Sequence, residues 1–187
     1  MSSPWIPRLA VEAMPPALAE YLAPRVRRLG YLGEMFQVGA NAPAVLLEFM
    51  RFTDALKEAV PLDISETVVL TVAARMRNAY ERNQHERLCL RSGLGREWIT
   101  EVQALAPEAS RLMTPGQRGA QRFALSAVDT EGLDATADFD ALREHFDAAT
   151  ALSIAFLVGR YTTHALLVNT LRLAPPVPSV FEDGFIP

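Results

Sequence analysis

The chain has 187 residues, 50% of them hydrophobic and 21% charged, which suits one domain with a sizeable core. The slightly low charge fits an oligomer that hides part of its surface. With 18 basic and 22 acidic residues the net charge is −4, and the scattered Lys and Arg residues exclude a basic field for nucleic acid or an anionic membrane.

The elements read as helix throughout, since no run alternates with period two between turns. Pro15 and Pro16 open a first helix over about 17–29, closed by Gly30. Residues 33–41 read as loop or a short irregular turn. A second helix covers about 43–59, with Val45, Leu46, Phe49, Phe52 and Leu56 on one face and Pro61 as its stop. A third segment starts after Asp63 and runs to about Ser92, broken near Arg77 and Asn78. Short helices follow at about 96–105 and, from the Thr114–Pro115 start, at about 115–128. Residues 129–136 read as loop and 139–146 as helix. The last helix covers about 149–173. Arg160, His164 and Arg172 interrupt its apolar run, whereas a membrane span needs roughly 20 residues with few charges, so a buried core helix is expected. Residues 174–187 hold too many prolines for a helix. Val180, Phe181 and Phe185 there suggest an arm that packs on something, a neighbouring subunit being one option.

Cys89 is the single cysteine, so an internal disulfide and a two-cysteine redox cycle are excluded. The start of the chain shows no apolar signal region, and together these point to a reducing, cytoplasmic setting.

The informative segment is 64–92. As one straight helix it would hold Glu66 and His85 about 28 Å apart, at ~1.5 Å per residue, too far for a shared site. Asn78 is a good N-cap and Glu81 stands three residues later, a capping-box pattern. Two helices meeting there fold back as a hairpin. Glu66 falls in the apolar stripe of the first helix with Val69, Leu70 and Ala73, while Thr67, Thr71 and Arg75 take the other side. A carboxylate in an apolar stripe is costly unless paired, hydrogen-bonded or protonated. Glu81 and His85 are four apart and share a face with Leu88, whereas Arg82, Asn83, Glu86 and Arg87 read as solvated. A carboxylate beside an imidazole orients it and raises its pKa, which suits proton transfer.

The frame Glu66, eleven residues, Asn78, two residues, Glu81, three residues, His85 resembles the Glu…Cys-x-x-Cys-x-x-x-His frame of the carboxymuconolactone decarboxylase and alkyl-hydroperoxidase D-like (AhpD-like) family, with both cysteine positions changed. The string from Asn78 to His85 is similar to the Tyr-Glu-Trp-x-x-His version of the cysteine-less members, with Arg82 in place of Trp. Asn41 to Leu46, Gly93–Leu94, Leu157 to Tyr161 and Asn169 resemble flanking parts of the family, so the likeness spans roughly 35–172.

The resemblance implies a single all-α domain over 1–187. It also implies a central helical hairpin at about 64–92 carrying the motif, an extended C-terminal arm at about 174–187, and a homo-oligomer (dimer, trimer or hexamer). Asn78 and Glu81 supply neither a thiolate nor a resolving partner, so two-cysteine peroxidase chemistry is not expected. The other branch implies a lyase or isomerase acting on a carboxylated lactone or related metabolite. His85 is then the general acid/base, Glu81 its orienter or a second acid/base, Glu66 a supporting carboxylate and Tyr80 a hydrogen-bond donor. No cofactor, metal, nucleic acid or membrane is expected. Arg75, Arg77 and Arg82 are the nearest candidates for an anion-binding cation.

Each residue also has a plain structural reading. Glu66 serves the helix dipole, Glu81 closes a capping box, His85 is a satisfied core histidine and Tyr80 packs. Cys89 is a small buried apolar residue, His164 belongs to core or interface, and His145 lies at the surface. The alternative functions are a divergent, inactive oligomer of the same fold, or an alkylhydroperoxidase-related protein with other chemistry.

Overall fold

Residues 64–73 form ten consecutive buried positions in one helix, α4 (Leu62–Arg75). A helix apolar all round must lie inside the protein, and the other helices are placed around this one. The computed structural model describes residues 5–183 and 185; the four N-terminal residues and the outermost parts of the expected arm, at 184, 186 and 187, lie outside that set. Among the described residues every regular element is helical.

In chain order α1 (Pro16–Leu29), α2 (Glu34–Gly39) and α3 (Pro43–Ala59) precede α4. After it come α5 (Ala79–Arg91), α6 (Arg96–Gln103), α7 (Pro115–Asp129), α8 (Thr136–Ala141) and α9 (Ala148–Leu171). The axis of α4 is packed by α5, α6, α7 and α9. One apolar cluster joins α3, α4, α7 and α9 through Leu56, Val69, Phe123, Ile154 and Leu157. A second, with Leu70, Cys89, Trp98, Ile99 and Val102, locks α5 and α6 onto the other side. The third gathers Leu18, Leu22, Met35, Leu46 and Met50 with Tyr80 and Val168. Each fully buried Leu contributes about 1.5–3 kcal/mol relative to exposure, so the packing around α4 fixes the frame of the hairpin.

The side of α4 expected to be polar is buried as well. Thr67 and Thr71 satisfy their hydroxyls on the preceding turn, donating to Asp63 O at 2.8 Å and Thr67 O at 2.6 Å. That internal bonding lets a threonine face act as core.

The break in the 64–92 segment is a Schellman turn. Arg77 takes a left-handed φ of 55°, its N–H donates to Ala74 O at 3.1 Å, and Asn78 N–H donates to Ala73 O at 2.7 Å. Asn78 then caps α5, its Oδ1 accepting Glu81 N–H at 3.2 Å. Only this half of the expected capping box forms, because the Glu81 carboxylate turns inward. Gly93 ends α5 by the same kind of turn, with Leu94 N–H on Cys89 O at 2.9 Å.

Three expectations are corrected. Residues 33–41 contain α2, whose Met35 and Val38 are buried; one short turn with two buried side chains leaves little periodicity to read. The helix expected over 139–146 starts earlier and ends in a 3-10 turn at Leu142–Glu144. Asp147 forces that end, since it is the N-cap of α9 and accepts Thr150 N–H at 2.8 Å.

Asn83 and Glu86 are buried rather than solvated, because the C-terminal arm lies over them. The arm packs on its own chain. Asn83 donates to Val177 O at 2.9 Å, and Arg87 donates to Pro178 O at 3.1 Å. Glu86 accepts the Ser179 hydroxyl and Val180 N–H, the latter at 3.0 Å.

The long apolar helix α9 meets the length and hydropathy of a membrane span, yet half of its most apolar stretch is buried inside the protein. Two of the residues that interrupt its apolar run, Arg160 and His164, point into the site, while Arg172 caps the helix end.

Candidate functional site

The hairpin brings Glu66 to α5. Glu66 Oε2 and His85 Nδ1 are 2.7 Å apart, with side-chain exposures of 2% and 9%. On the other edge of the imidazole, Nε2 lies 3.3 Å from Glu81 Oε2 and 3.3 Å from the Tyr161 hydroxyl. Glu81 reaches onward with its second oxygen, 2.9 Å from His164 Nε2 and 3.5 Å from Arg160 Nη1. Asn78 closes the chain beside His164 Nδ1 at 3.5 Å. The result is a buried run of carboxylate, imidazole, carboxylate, imidazole across α4, α5 and α9.

Charges buried this way survive only when paired and hydrogen-bonded. Burial acts against the His85 imidazolium, but Glu66 and then Glu81 outweigh it and raise the pKa from 6.5 to about 9. Burial likewise acts against ionised Glu81, and is overcome by the charge and hydrogen bond of His164 and by His85, which hold the carboxyl well below its ordinary range. At neutral pH the resting pair is therefore imidazolium and carboxylate. Burial pushes the Tyr161 phenol far up, so it stays neutral beside the imidazole.

Of the four residues singled out from the sequence, Glu66, Glu81 and His85 converge. Glu66, at the shorter distance, orients the ring; Glu81 links it to His164. Tyr80 lines the same cavity and its ring lies 5.7 Å from that of His164, but its hydroxyl accepts Met35 N–H at 3.1 Å, an approach that needs Gly33, where a Cβ would lie 2.3 Å from the same oxygen. The phenol at His85 is Tyr161 instead. Cys89 is buried, and its thiol donates to Glu66 Oε2 at 3.6 Å. Burial and the Glu66 charge push that thiol far above its ordinary pKa, the reverse of what a reactive cysteine needs.

His85 and Glu81 form part of the wall of a cavity of about 90 Å³ that opens between α1, α3, α5 and α9. Its lining includes Arg25, Arg28, Lys57, Arg91 and Arg160, five cations against the single carboxylate of Glu81. None of the cations expected from the sequence, Arg75, Arg77 and Arg82, reaches it: Arg75 pairs with Asp129, and Arg82 sits beside Asn83 and Glu86 on the outer face of α5. Proximity in sequence misled here because Arg75 ends α4, Arg77 sits in the turn, and Arg82 lies on the outer face of α5. The cations that do line it come from α1, α3, the end of α5 and α9.

Sequence reasoning passed over Arg160, Tyr161 and His164 as functional residues. The available signal was the spacing of Arg160 and His164, four apart inside an apolar helix, which places both on one buried face. Among the described residues no three His, Cys, Asp or Glu side chains are grouped as a metal-ligand cluster.

No protein-family model and no curated protein matches the chain. Among solved structures it is similar to an AhpD core, an uncharacterised peroxidase-related protein from Ralstonia eutropha, at 22% identity and a TM-score of 0.78, over 92% of this chain and 94% of that one. A peroxidase-related protein from a Silicibacter species matches at 16% identity and TM-score 0.77, over 94% and 92%. The debrominase Bmp8, solved in complex with 2,3,4-tribromopyrrole, matches at 15% identity and TM-score 0.79, over 95% and 94%. At such identities the likeness speaks for architecture: this chain adopts the all-α AhpD-like fold over nearly its whole length.

Proposed function

We propose that the chain is a small-molecule enzyme of lyase or isomerase type, carboxymuconolactone decarboxylase-like in its chemistry, acting on a carboxylated lactone or related metabolite. The observation that carries this reading is a single imidazole, His85, clasped by two buried carboxylates on the wall of a cationic cavity. His85 is the proton carrier, Glu66 orients it, Glu81 couples it to His164, and Tyr161 positions its Nε2 edge.

The raised pKa selects a direction. Near pH 7 His85 is mostly imidazolium, so its first act is to donate. In a decarboxylation the bond from carbon to the carboxylate breaks, CO₂ leaves, the electron pair stays on carbon, and the imidazolium supplies the proton that neutralises it. In an isomerisation the Glu81 carboxylate takes a proton from one carbon to give the enolate, the His85 imidazolium donates its proton at the other end, and the proton on Glu81 then passes to His85. The cationic lining stabilises the anion on which either step depends. A debrominase of the same fold has been solved with a small halogenated ring, which supports a ring-sized ligand here.

The test is turnover of a panel of carboxylated lactones, chosen by thermal shift. His85→Ala and Glu81→Gln are expected to lower kcat by about 10²–10⁴. Unchanged turnover in both variants sinks the reading and leaves the alternative of an inactive, structural polar core.

The protein acts, on this reading, in the reducing cytoplasm as a homo-oligomer. Phe52 of α3 and Phe156 of α9 meet edge to face, with ring centroids 6.0 Å apart, and remain exposed together with Val45, Leu152 and Leu166. Such an exposed apolar face supports the oligomer, in which a second copy of the chain would cover it.

A further inference from the structure

Arg25 stands out among the cations of the cavity. It comes from the second half of α1 and is largely buried, its side chain 16% exposed. Nη2 donates to Asp54 Oδ1 at 3.2 Å, and Asp54 is held in turn by the Tyr21 hydroxyl. The guanidinium lies 5.5 Å from the Phe36 ring centroid. One face and one fork of the group are thus fixed. Its Nη1, however, is buried without a hydrogen-bond partner among the described residues. A buried guanidinium N–H without an acceptor is costly and calls for a physical account.

The setting supplies one. Arg25 lines the same cavity as His85. The other buried cation there is already committed: Arg160 donates from Nε to Thr53 Oγ1 at 2.9 Å, approaches Glu81, and stacks 4.1 Å from the Tyr161 centroid. Lys57 lies near both: the surrounding protein and then Arg25 and Arg160 hold its ammonium below the ordinary range. Cations crowded against one another at a cavity wall are relieved by an anion between them. Arg25 alone combines a fixed orientation with a spare donor.

We propose that Arg25 is the anion-binding residue of the cavity and that the ligand is a small organic carboxylate, its carboxylate on the Arg25 guanidinium and its body against His85. This deepens the acid–base reading above and rests on it. Size narrows the class further. A cavity of about 90 Å³ suits a small, ring-sized acid better than a nucleotide, a coenzyme A thioester or a long acyl chain.

Binding, and not turnover, is the measurement. Benzoate, 2-furoate and 5-oxotetrahydrofuran-2-carboxylate are titrated into the intact protein by calorimetry, each beside its matched primary amide. The ring signals of His85 are followed by NMR in parallel. The carboxylates are expected to bind at least tenfold more tightly than the amides and to shift His85. Arg25→Gln is expected to remove that preference, and Arg25→Lys, which keeps the charge but not the fork, to weaken it by about tenfold. Arg51→Gln and Arg111→Gln, at exposed cations outside the cavity lining, are expected to change affinity by less than about threefold.

Equal binding of acids and amides overturns the proposal on the unmodified protein, whatever the variants do. So does full carboxylate preference in a folded Arg25→Gln. The two readings fail separately. Turnover that survives loss of His85 ends the catalytic assignment while carboxylate binding stands, and His85-dependent turnover without carboxylate preference ends the Arg25 assignment alone.

Discussion

Helix α5 buries two carboxylates five residues apart, and they live in different company. Glu81 faces inward to His85, His164 and Arg160, partners that carry or can carry charge, beside a cavity. Glu86 faces the arm and accepts from Ser179 Oγ, Val180 N–H and Gln103 Nε2, with Arg82 Nε at 3.4 Å. Three of those four partners are fixed neutral donors. The first arrangement has protonation states to exchange; the second has only one satisfied state. Burial of a charge alone therefore does not mark a reactive site. What marks it is burial among groups that titrate, next to space.

The contrast can be broken at Glu86 first, where the largest stability effect is expected. Glu86→Ala strands the Ser179 hydroxyl, Val180 N–H and Gln103 amide under the arm. Removing one member of such a buried set costs about 3–5 kcal/mol. For a chain of this length that is a fall in Tm on the order of 10 °C, read by calorimetry, and the loss should be the same at pH 6 and pH 9. A loss that varies steeply with pH would mean that Glu86 is part of the titrating network after all.

The inner network should behave in the opposite way. The folded pKa of His85, about 9, lies above its unfolded value of 6.5. A raised pKa contributes stability that is fully present below about pH 6.5 and is lost as pH rises through 9. The shift corresponds to about 3 kcal/mol at most, at ~1.36 kcal/mol per pH unit. Glu81, held low, contributes in the other direction: its share is present above its ordinary range and lost as pH falls. Stability should therefore peak between the two. Glu66→Gln removes the charge that does most to raise the His85 pKa against burial, so the alkaline loss should shrink and the His85 ring should titrate at lower pH by NMR. An unmoved titration would transfer the orienting role from Glu66 to Glu81.

How much of this was legible in the chain follows the same division. The hairpin was readable because its turn is local: Asn78 at a cap position and the fixed spacing of Glu66, Glu81 and His85 need no knowledge of distant residues. Fold class followed from the resemblance carried by that frame and its flanks. The reach of Glu66 to His85 was readable too, once the break was placed. What came from afar was not. Arg160, Tyr161 and His164 arrive from α9, and their mid-helix charges served only to argue against a membrane span. Tyr80, adjacent to Glu81 in sequence, does line the cavity, but its hydroxyl is engaged by Met35 N–H, and the phenol that reaches His85 comes from α9. Asn83 and Glu86 seemed solvated on a helical wheel because a wheel does not show an arm returning from residue 177 onward.

The smallest expected effect sharpens the comparison from the chemical side. Cys89 belongs to neither carboxylate's working set: it packs with Leu70, Trp98 and Ile99 and only grazes Glu66. A thiol pushed above its ordinary pKa and closed off from water is a poor nucleophile. The native protein should therefore resist Ellman's reagent until unfolded, and should reduce no hydroperoxide with a thiol donor. Cys89→Ala should cost about 1 kcal/mol, the size of a modest core truncation, and leave the alkaline stability loss of His85 in place. Rapid labelling of the folded protein, or peroxide turnover that vanishes in Cys89→Ala, would instead make Glu66 a partner to the thiol and give the network a redox role.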